Sequence, residues 1–158
     1  IQKLTSSGTI LLHEPRVSLK GDVFRIIKFR TMSEDGSVSS FSKLLCRFKI
    51  DEWPQILNVL KGEMSLVGPR PHWPEQNEEF AVAMRNYHVR SDVKPGITGL
   101  AQVRGFRGKP DSYEEVAGRL RADVEYVENW SLGLDVMILL KTAFGRGSAG
   151  RPAIQSHV

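Results

Sequence analysis

The chain has 158 residues, 25% of them charged, and a formal net charge of +4. That length carries one domain with a real core and leaves little for a second. Cys46 is the only cysteine, which rules out an internal disulfide. No apolar run reaches the roughly 20 residues of a spanning helix, and no second His or Cys stands at zinc-site spacing from His72.

Basic residues crowd 16–49 and 85–109, and acids gather at 111–128. Such stretches fit a nucleotide, anionic lipid or nucleic acid, or a plain solvated face.

Residues 1–8 are polar and read as a linker or the remnant of a preceding segment. Thr9–Leu12 and Val23–Phe29 are β-prone, with a turn signal at Lys20-Gly21-Asp22, so a hairpin is expected. Lys28 and Arg30 share one side of its second strand, opposite Ile27 and Phe29. Two cations there protect an edge strand or meet an anion. Ser33–Ser40 reads as a polar loop and Phe41–Ile50 as a short helix.

Asp51 and Glu52 then open a further predicted helix. Asp51 is placed to cap it and Pro54 falls in its first turn. Ile50, Trp53, Ile56, Leu57 and Leu60 recur at helical spacing as an apolar face, and Lys61-Gly62 supplies the stop. The pair is either an ordinary helix start or an ionised site beside a bound anion. In the second case an aspartate serves as metal ligand or nucleophile. Arg70, between Pro69 and Pro71, sits on a stiff extended backbone, as an exposed arginine or as a clamp for phosphate or carboxylate.

His72–Asp92 is expected to hold a helix with Phe80, Met84 and Tyr87 on one face, early acids, and Arg85 and Arg90 late. Val93–Gly108 reads as a loop with Lys94, Arg104 and Arg107. Gly99, Gly105 and Gly108 would let its backbone approach a ligand, and a structural crossing is the alternative. Ser112–Asn129 is a helix with a Ser112/Glu115 capping box and a buried stripe of Val116, Leu120, Val124 and Val127. Ser131 caps Leu132–Phe144, apolar nearly all round and about 20 Å long, hence a core helix or an interfacial one. Residues 145–158 read as a flexible tail.

The run from Asp51 to Pro71 resembles the signature of the bacterial sugar transferase family, the monotopic phosphoglycosyl transferases, and among them the polyprenyl-phosphate hexose-1-phosphate transferases. Lys28-Phe29-Arg30-Thr31-Met32, the stretch Val93–Gly105, and Asn129-Trp130-Ser131 with Asp135 also match, in the family's order, so that the resemblance covers roughly 14–144. It implies an α+β, mostly helical, single catalytic domain over 9–144, with a short N-terminal β-hairpin and interfacial helices. The implied reaction moves hexose-1-phosphate from a UDP-hexose to undecaprenyl phosphate and releases UMP, as the first step of exopolysaccharide or capsule assembly. Asp51 would form an aspartyl-phosphosugar, and Glu52 would help bind Mg²⁺. Arg70, Arg47, Lys94, Arg104, Lys28 and Arg30 would contact phosphate.

Further implied are a membrane surface as partner, a place on the cytoplasmic face of the bacterial inner membrane, and an anchoring segment ahead of Ile1. A homo-oligomer is compatible, and no nucleic acid is expected. Relatives carry two arginines followed by Thr-Ser before the dyad. Here the run is Cys46-Arg47-Phe48-Lys49-Ile50. An inactive scaffold or a basic nucleic-acid module are the other readings.

Overall fold

In the computed structural model the described residues are 9–32, 36–107 and 112–144. The expectations for 1–8 and 145–158, the start of the polar loop at 33–35, and Gly108 lie outside them. The mostly helical α+β fold expected from the sequence is the one observed.

The hairpin forms from β1 (Leu11–Val17) and β2 (Val23–Phe29), antiparallel, with Leu11 opposite Phe29 and Val17 opposite Val23. A 3-10 turn at Leu19–Gly21 joins them, and Gly21 takes a φ of +90°. β1 runs further than the apolar pattern suggested, because its inward positions are charged. Glu14 and Arg16 face Ile26 and Phe24 across the ladder, and all four are buried with Lys28.

α1 (Ser40–Arg47) is capped by Ser39 Oγ, which accepts from Ser42 N at 3.0 Å. The next segment departs from expectation. Asp51 caps nothing. It lies in a 3-10 turn, Ile50–Gln55, preceded by Lys49 in the left-handed region (φ 56°), and the α-helix proper, α2, is only Ile56–Leu60. The expected apolar face is also not the buried one. Gln55 and Asn58 are buried, while Trp53, Ile56, Leu57 and Leu60 are exposed.

The reason is Asn58. Its Oδ1 accepts from Ile27 N at 3.0 Å, and its Nδ2 donates to Arg25 O at 2.8 Å and to Glu63 Oε2 at 2.7 Å. These bonds lash α2 to the edge of β2 away from β1 and turn the polar side inward. They also explain Pro15 within β1: it faces Arg25 at an outward rung, where a missing N–H breaks no ladder bond. α2 stops as expected at Gly62, with φ +79°.

β3 (Ser65–Val67) pairs in parallel with β4 (Gly96–Thr98), a contact the sequence reading took for loop. Gly68, Gly96 and Gly99 make it possible. A Cβ on Gly68 would lie 2.5 Å from Lys94 O, and one on Gly99 would collide with Gly68 O. Gly99 therefore admits another stretch of backbone rather than a ligand.

α3 (Pro74–Ala83) ends earlier than the expected helix. Met84 is extended, Asn86 is left-handed (φ 64°), and a 3-10 turn follows at Tyr87–Ser91, leaving Arg85 and Arg90 outside α3. Phe80, Met84 and Tyr87 still meet, packed with Val116. α4 (Leu100–Val103) is short.

α5 (Tyr113–Glu128) starts at Ser112, whose Oγ accepts from Glu115 N at 3.2 Å. Its inner side is Val116, Arg119, Ala122, Asp123 and Tyr126, with Leu120, Val124 and Val127 half-buried beside it. α6 (Leu132–Phe144) has the expected bounds and Ser131 cap. Ile138 is its one fully buried residue, at the centre of a core with Val67, Leu100 and Tyr126. Leu132, Val136, Leu140 and Phe144 are exposed, and among the described residues no helix is long and apolar enough to cross a membrane.

Asn58→Ala should cost about 2–4 kcal/mol, since it leaves the buried Ile27 N–H and Arg25 carbonyl without partners. Urea unfolding measures this, and a loss below about 0.5 kcal/mol would contradict the lashing role.

Candidate active site

The hairpin, the 3-10 turn and the Pro-Arg-Pro segment converge on one electrostatic centre. Arg70 donates from both terminal nitrogens to Glu52 Oε1, at 3.2 and 3.1 Å, so Oε2 stays outside that contact. The arginine is held from behind. Gly68 N and Gly96 N fasten the segment to β4 through Thr98 O and Pro69 O, at 2.8 and 2.9 Å, and Val17 N donates to His72 O at 3.0 Å. Arg90 donates to Arg70 O and pairs with Asp123 at 3.0 Å in a buried salt bridge. Arg90 also donates to Tyr87 Oη at 3.2 Å, and Tyr87 lies 2.6 Å from His72 Nδ1. Burial, followed by Arg90, Arg119, Arg70 and Arg16, pushes His72 well below its ordinary range, so the ring is neutral and structural.

The two carboxylates of the dyad are driven apart in acidity. Burial works to raise Glu52, but Arg70, Lys49 and Lys28 outweigh it and hold the group below its usual value. Asp51 has no such close cation. Burial, then the neighbouring Glu52 charge, pushes it up to about 6. At neutral pH both are ionised, and Asp51 is the more basic and less neutralised of the two. A pair of carboxylates split by environment in this way is a recurrent arrangement at reacting sites.

Lys28 is drawn into the same centre. Its ammonium lies 3.1 Å from Glu14 Oε2, an oxygen that also takes Arg16 at 2.6 Å. Burial lowers Lys28, with Arg70 and Arg16 adding to the effect against Glu14. Arg16 is lowered to about 10, again by burial first, and stacks 3.5 Å above the Trp73 ring. One buried glutamate thus answers two buried cations beside Arg70. The balance is positive and suits an anionic ligand.

Over residues 1–146 the chain matches the family described as Bacterial sugar transferase. The chain belongs to this family. Among its relatives, a UDP-glucose:undecaprenyl-phosphate glucose-1-phosphate transferase of Caulobacter vibrioides is 42% identical over 153 residues, covering 89% of this chain and 57% of the relative. The protein of the same name from Escherichia coli is 37% identical, over 90% of this chain and 33% of its own length. An exopolysaccharide production protein of Rhizobium leguminosarum is 33% identical, covering 94% and 83%. The chain thus spans only part of the longer relatives.

This member of the sugar transferase family gathers some of the expected phosphate residues and not others. Arg70 and Lys28 are at the dyad. Arg47 is exposed at the end of α1, next to Cys46, whose Sγ is 4.0 Å from Asp51 Oδ2. Arg30 donates to Thr9 O and Thr9 Oγ1, at 3.0 and 3.2 Å, at the start of the hairpin. Lys94 Nζ lies beside Gly62, at the end of α2. Arg104 gives its two terminal nitrogens to the two oxygens of Glu125, each at 2.6 Å, and so is held on α5.

Glu14, Arg16, Arg90 and Asp123 were missed. Each is a charged residue on the inward side of its element, a signal the apolar pattern hides. Lys49 was seen only as a departure from the family pattern.

Because folding raises Asp51, its ionised form destabilises the folded state above pH 6, and that cost disappears below its ordinary value of 3.8. Asp51→Asn should therefore be more stable than the native chain at pH 8, by about 1–2 kcal/mol, with the gain gone near pH 4. Urea unfolding at the two pH values reads the difference, and a loss at pH 8 would contradict it.

Proposed function

We propose that this domain transfers hexose-1-phosphate from a UDP-hexose to undecaprenyl phosphate, opening the assembly of an exopolysaccharide or capsule glycan. The observation that carries the reading is the split dyad: a basic Asp51 beside a Glu52 neutralised by Arg70. The names of the relatives give the substrate class. In the first step Asp51 Oδ bonds to the sugar-bearing phosphorus. The bond from that phosphorus to the bridging oxygen breaks, and its electron pair leaves on UMP. A lipid phosphate oxygen then attacks the aspartyl-phosphosugar, and the Asp51 carboxylate is released. One difficult displacement becomes two easier ones.

Arg70, Lys28 and Arg47 are assigned to phosphate oxygens in this scheme, with Arg70 exchanging part of its contact with Glu52 for substrate. Lys94, Arg104 and Arg30 are kept for the outer approach. Among the described residues no three His, Cys, Asp or Glu side chains gather as a metal cage. Mg²⁺ needs only one or two carboxylates when substrate phosphate and water complete its shell, and Glu52 Oε2, which lies outside the Arg70 contact, fits that demand. When bound, the ion neutralises diphosphate charge.

The exposed Phe48, Trp53, Ile56, Leu57 and Leu60 flank the dyad in sequence, and α6 adds Leu132, Val136 and Phe144. Apolar exposure on that scale supports contact with a membrane surface, where the lipid acceptor resides. A nucleotide donor supports a place on the cytoplasmic face.

The test is UMP release by the full-length protein in membranes, with undecaprenyl phosphate, Mg²⁺ and a panel of UDP-sugars. Release from one donor, lost at least about a thousandfold in Asp51→Asn, is expected. The acid limb of kcat/KM should fall near pH 6. No release from any donor by folded, membrane-bound protein would sink the reading and favour a scaffold. Unimpaired release by Asp51→Asn would remove Asp51 as nucleophile.

A further inference from the structure

Glu14 is the buried group that the transferase reading leaves without a role. It stands on the inner side of β1, in a row with Leu12 and Arg16, and only 4% of it is exposed. Its Oε2 accepts from Arg16 Nη2 at 2.6 Å and from Lys28 Nζ at 3.1 Å. Its Oε1, also buried, has no partner among the described residues. One carboxylate oxygen thus takes two cations, as a phosphate oxygen does.

The two cations are held unequally. Arg16 has two further holds: its Nη1 donates to Pro15 O at 3.1 Å, and its guanidinium lies 3.5 Å from the centre of the Trp73 ring. Lys28 has Glu14 as its only hydrogen-bond partner among the described residues, so two of the three donors on its ammonium are unused. If Lys28 leaves, Glu14 stays paired with Arg16, one charge to one charge, and no buried carboxylate is stranded. Lys28 is the exchangeable member of the triad. It also stands on the strand that borders the dyad. Its neighbour Ile27 bonds to Asn58, on the helix that continues the 3-10 turn of Asp51 and Glu52, and β2 packs along that turn.

We propose that Glu14 is an internal competitor for the donor: it holds Lys28 in the resting site and yields it to a phosphate oxygen of the nucleotide-sugar. The inference rests on the transferase reading and adds to it how the phosphate-binding lysine is kept ready. Glu14 is a positioning residue that acts through Lys28. It keeps a buried ammonium charged and ordered before substrate arrives. The same contact has to break when the donor binds, so Glu14 opposes binding. A Glu14 with a purely structural part has the other sign: its loss would loosen the site and weaken binding.

The test uses the full-length protein in detergent or nanodiscs. The probe is UDP, which carries both phosphates of the donor, and its binding is measured by calorimetry with turnover of UDP-glucose in parallel. Glu14→Gln keeps the shape and one acceptor oxygen but removes the charge. Ligand-free, it should melt lower than the native protein, yet it should bind UDP about fivefold more tightly, with KM for UDP-glucose lowered alike. Lys28→Gln should bind UDP about fivefold more weakly. Adding Glu14→Gln to Lys28→Gln should then change the affinity by less than about twofold, because the two residues act as a unit. In a structure of the native protein with UDP bound, Lys28 Nζ should lie beyond about 4 Å from both Glu14 oxygens.

UDP affinity in Glu14→Gln that is unchanged or weaker, tightening that survives Lys28→Gln, or no UDP binding by the native protein would each overturn the competitor. So would a Lys28 still paired with Glu14 when UDP is bound, and that readout decides the case if Glu14→Gln does not fold. Tighter UDP binding in Glu14→Gln, in a native protein that turns over no donor, would keep the competitor and sink the transferase reading. Normal turnover by the native protein, with unchanged UDP affinity in Glu14→Gln, would do the reverse.

Discussion

Where residues 67–69 pass residues 94–99, backbone meets backbone and no side chain fits between them. Gly68, Gly96 and Gly99 are confined to that contact by sterics alone. The parallel pairing of β3 with β4 fixes the direction in which the chain leaves Val67. That direction carries Arg70 to Glu52. The same crossing sets Leu100 and Val67 against Tyr126 and Ile138, so the helical core and the site share one foundation. An alanine at any of the three positions would have to displace main chain rather than a mobile side chain.

Upon this foundation the protein builds a charge arrangement that a maximally stable fold would avoid. Arg90 with Asp123, and Arg16 and Lys28 with Glu14, are buried pairs and triads whose desolvation is costly and whose net worth is small. Their use is positional. Arg90 reaches the carbonyl of Arg70, and Glu14 keeps two cations beside it, so the arginine acts from a fixed mount in a positive field. Asp51, left without a close cation, is kept basic by the same surroundings that neutralise Glu52. Reactivity at one carboxylate and stability at the other come from a single distribution of charge, which is the usual compromise between stability and function.

The sequence made some of this plain and hid the rest for identifiable reasons. β2 and α6 have the expected bounds, because a β-prone run after a turn signal and an apolar run with a serine cap are local signals. The family resemblance, carried by several long runs, placed Asp51, Glu52 and Arg70 together, and Arg70 does reach Glu52. Helix periodicity misled at 50–60. Trp53, Ile56, Leu57 and Leu60 are spaced like a core stripe but face outward, because Asn58 finds its partners on β2, more than thirty residues away. Three-residue strands are too short to show alternation, so β3 and β4 read as loop. Arg104 looked like a free cation since its partner, Glu125, lies on another helix. In each failure a contact distant in sequence overrode a sound local pattern.

The outward rung of β2 that Asn58 occupies has a further consequence. A two-stranded sheet exposes main-chain donors and acceptors on both flanks, and such flanks invite another chain to add a strand. The Arg25 carbonyl and the Ile27 N–H are the groups a foreign strand would use, and a side-chain amide, which copies the peptide group in its donor and acceptor, already holds both. Asn58 is therefore a stopper as well as a strut. It closes one flank of the hairpin to self-association, in a protein that elsewhere exposes Trp53, Leu60 and Phe144.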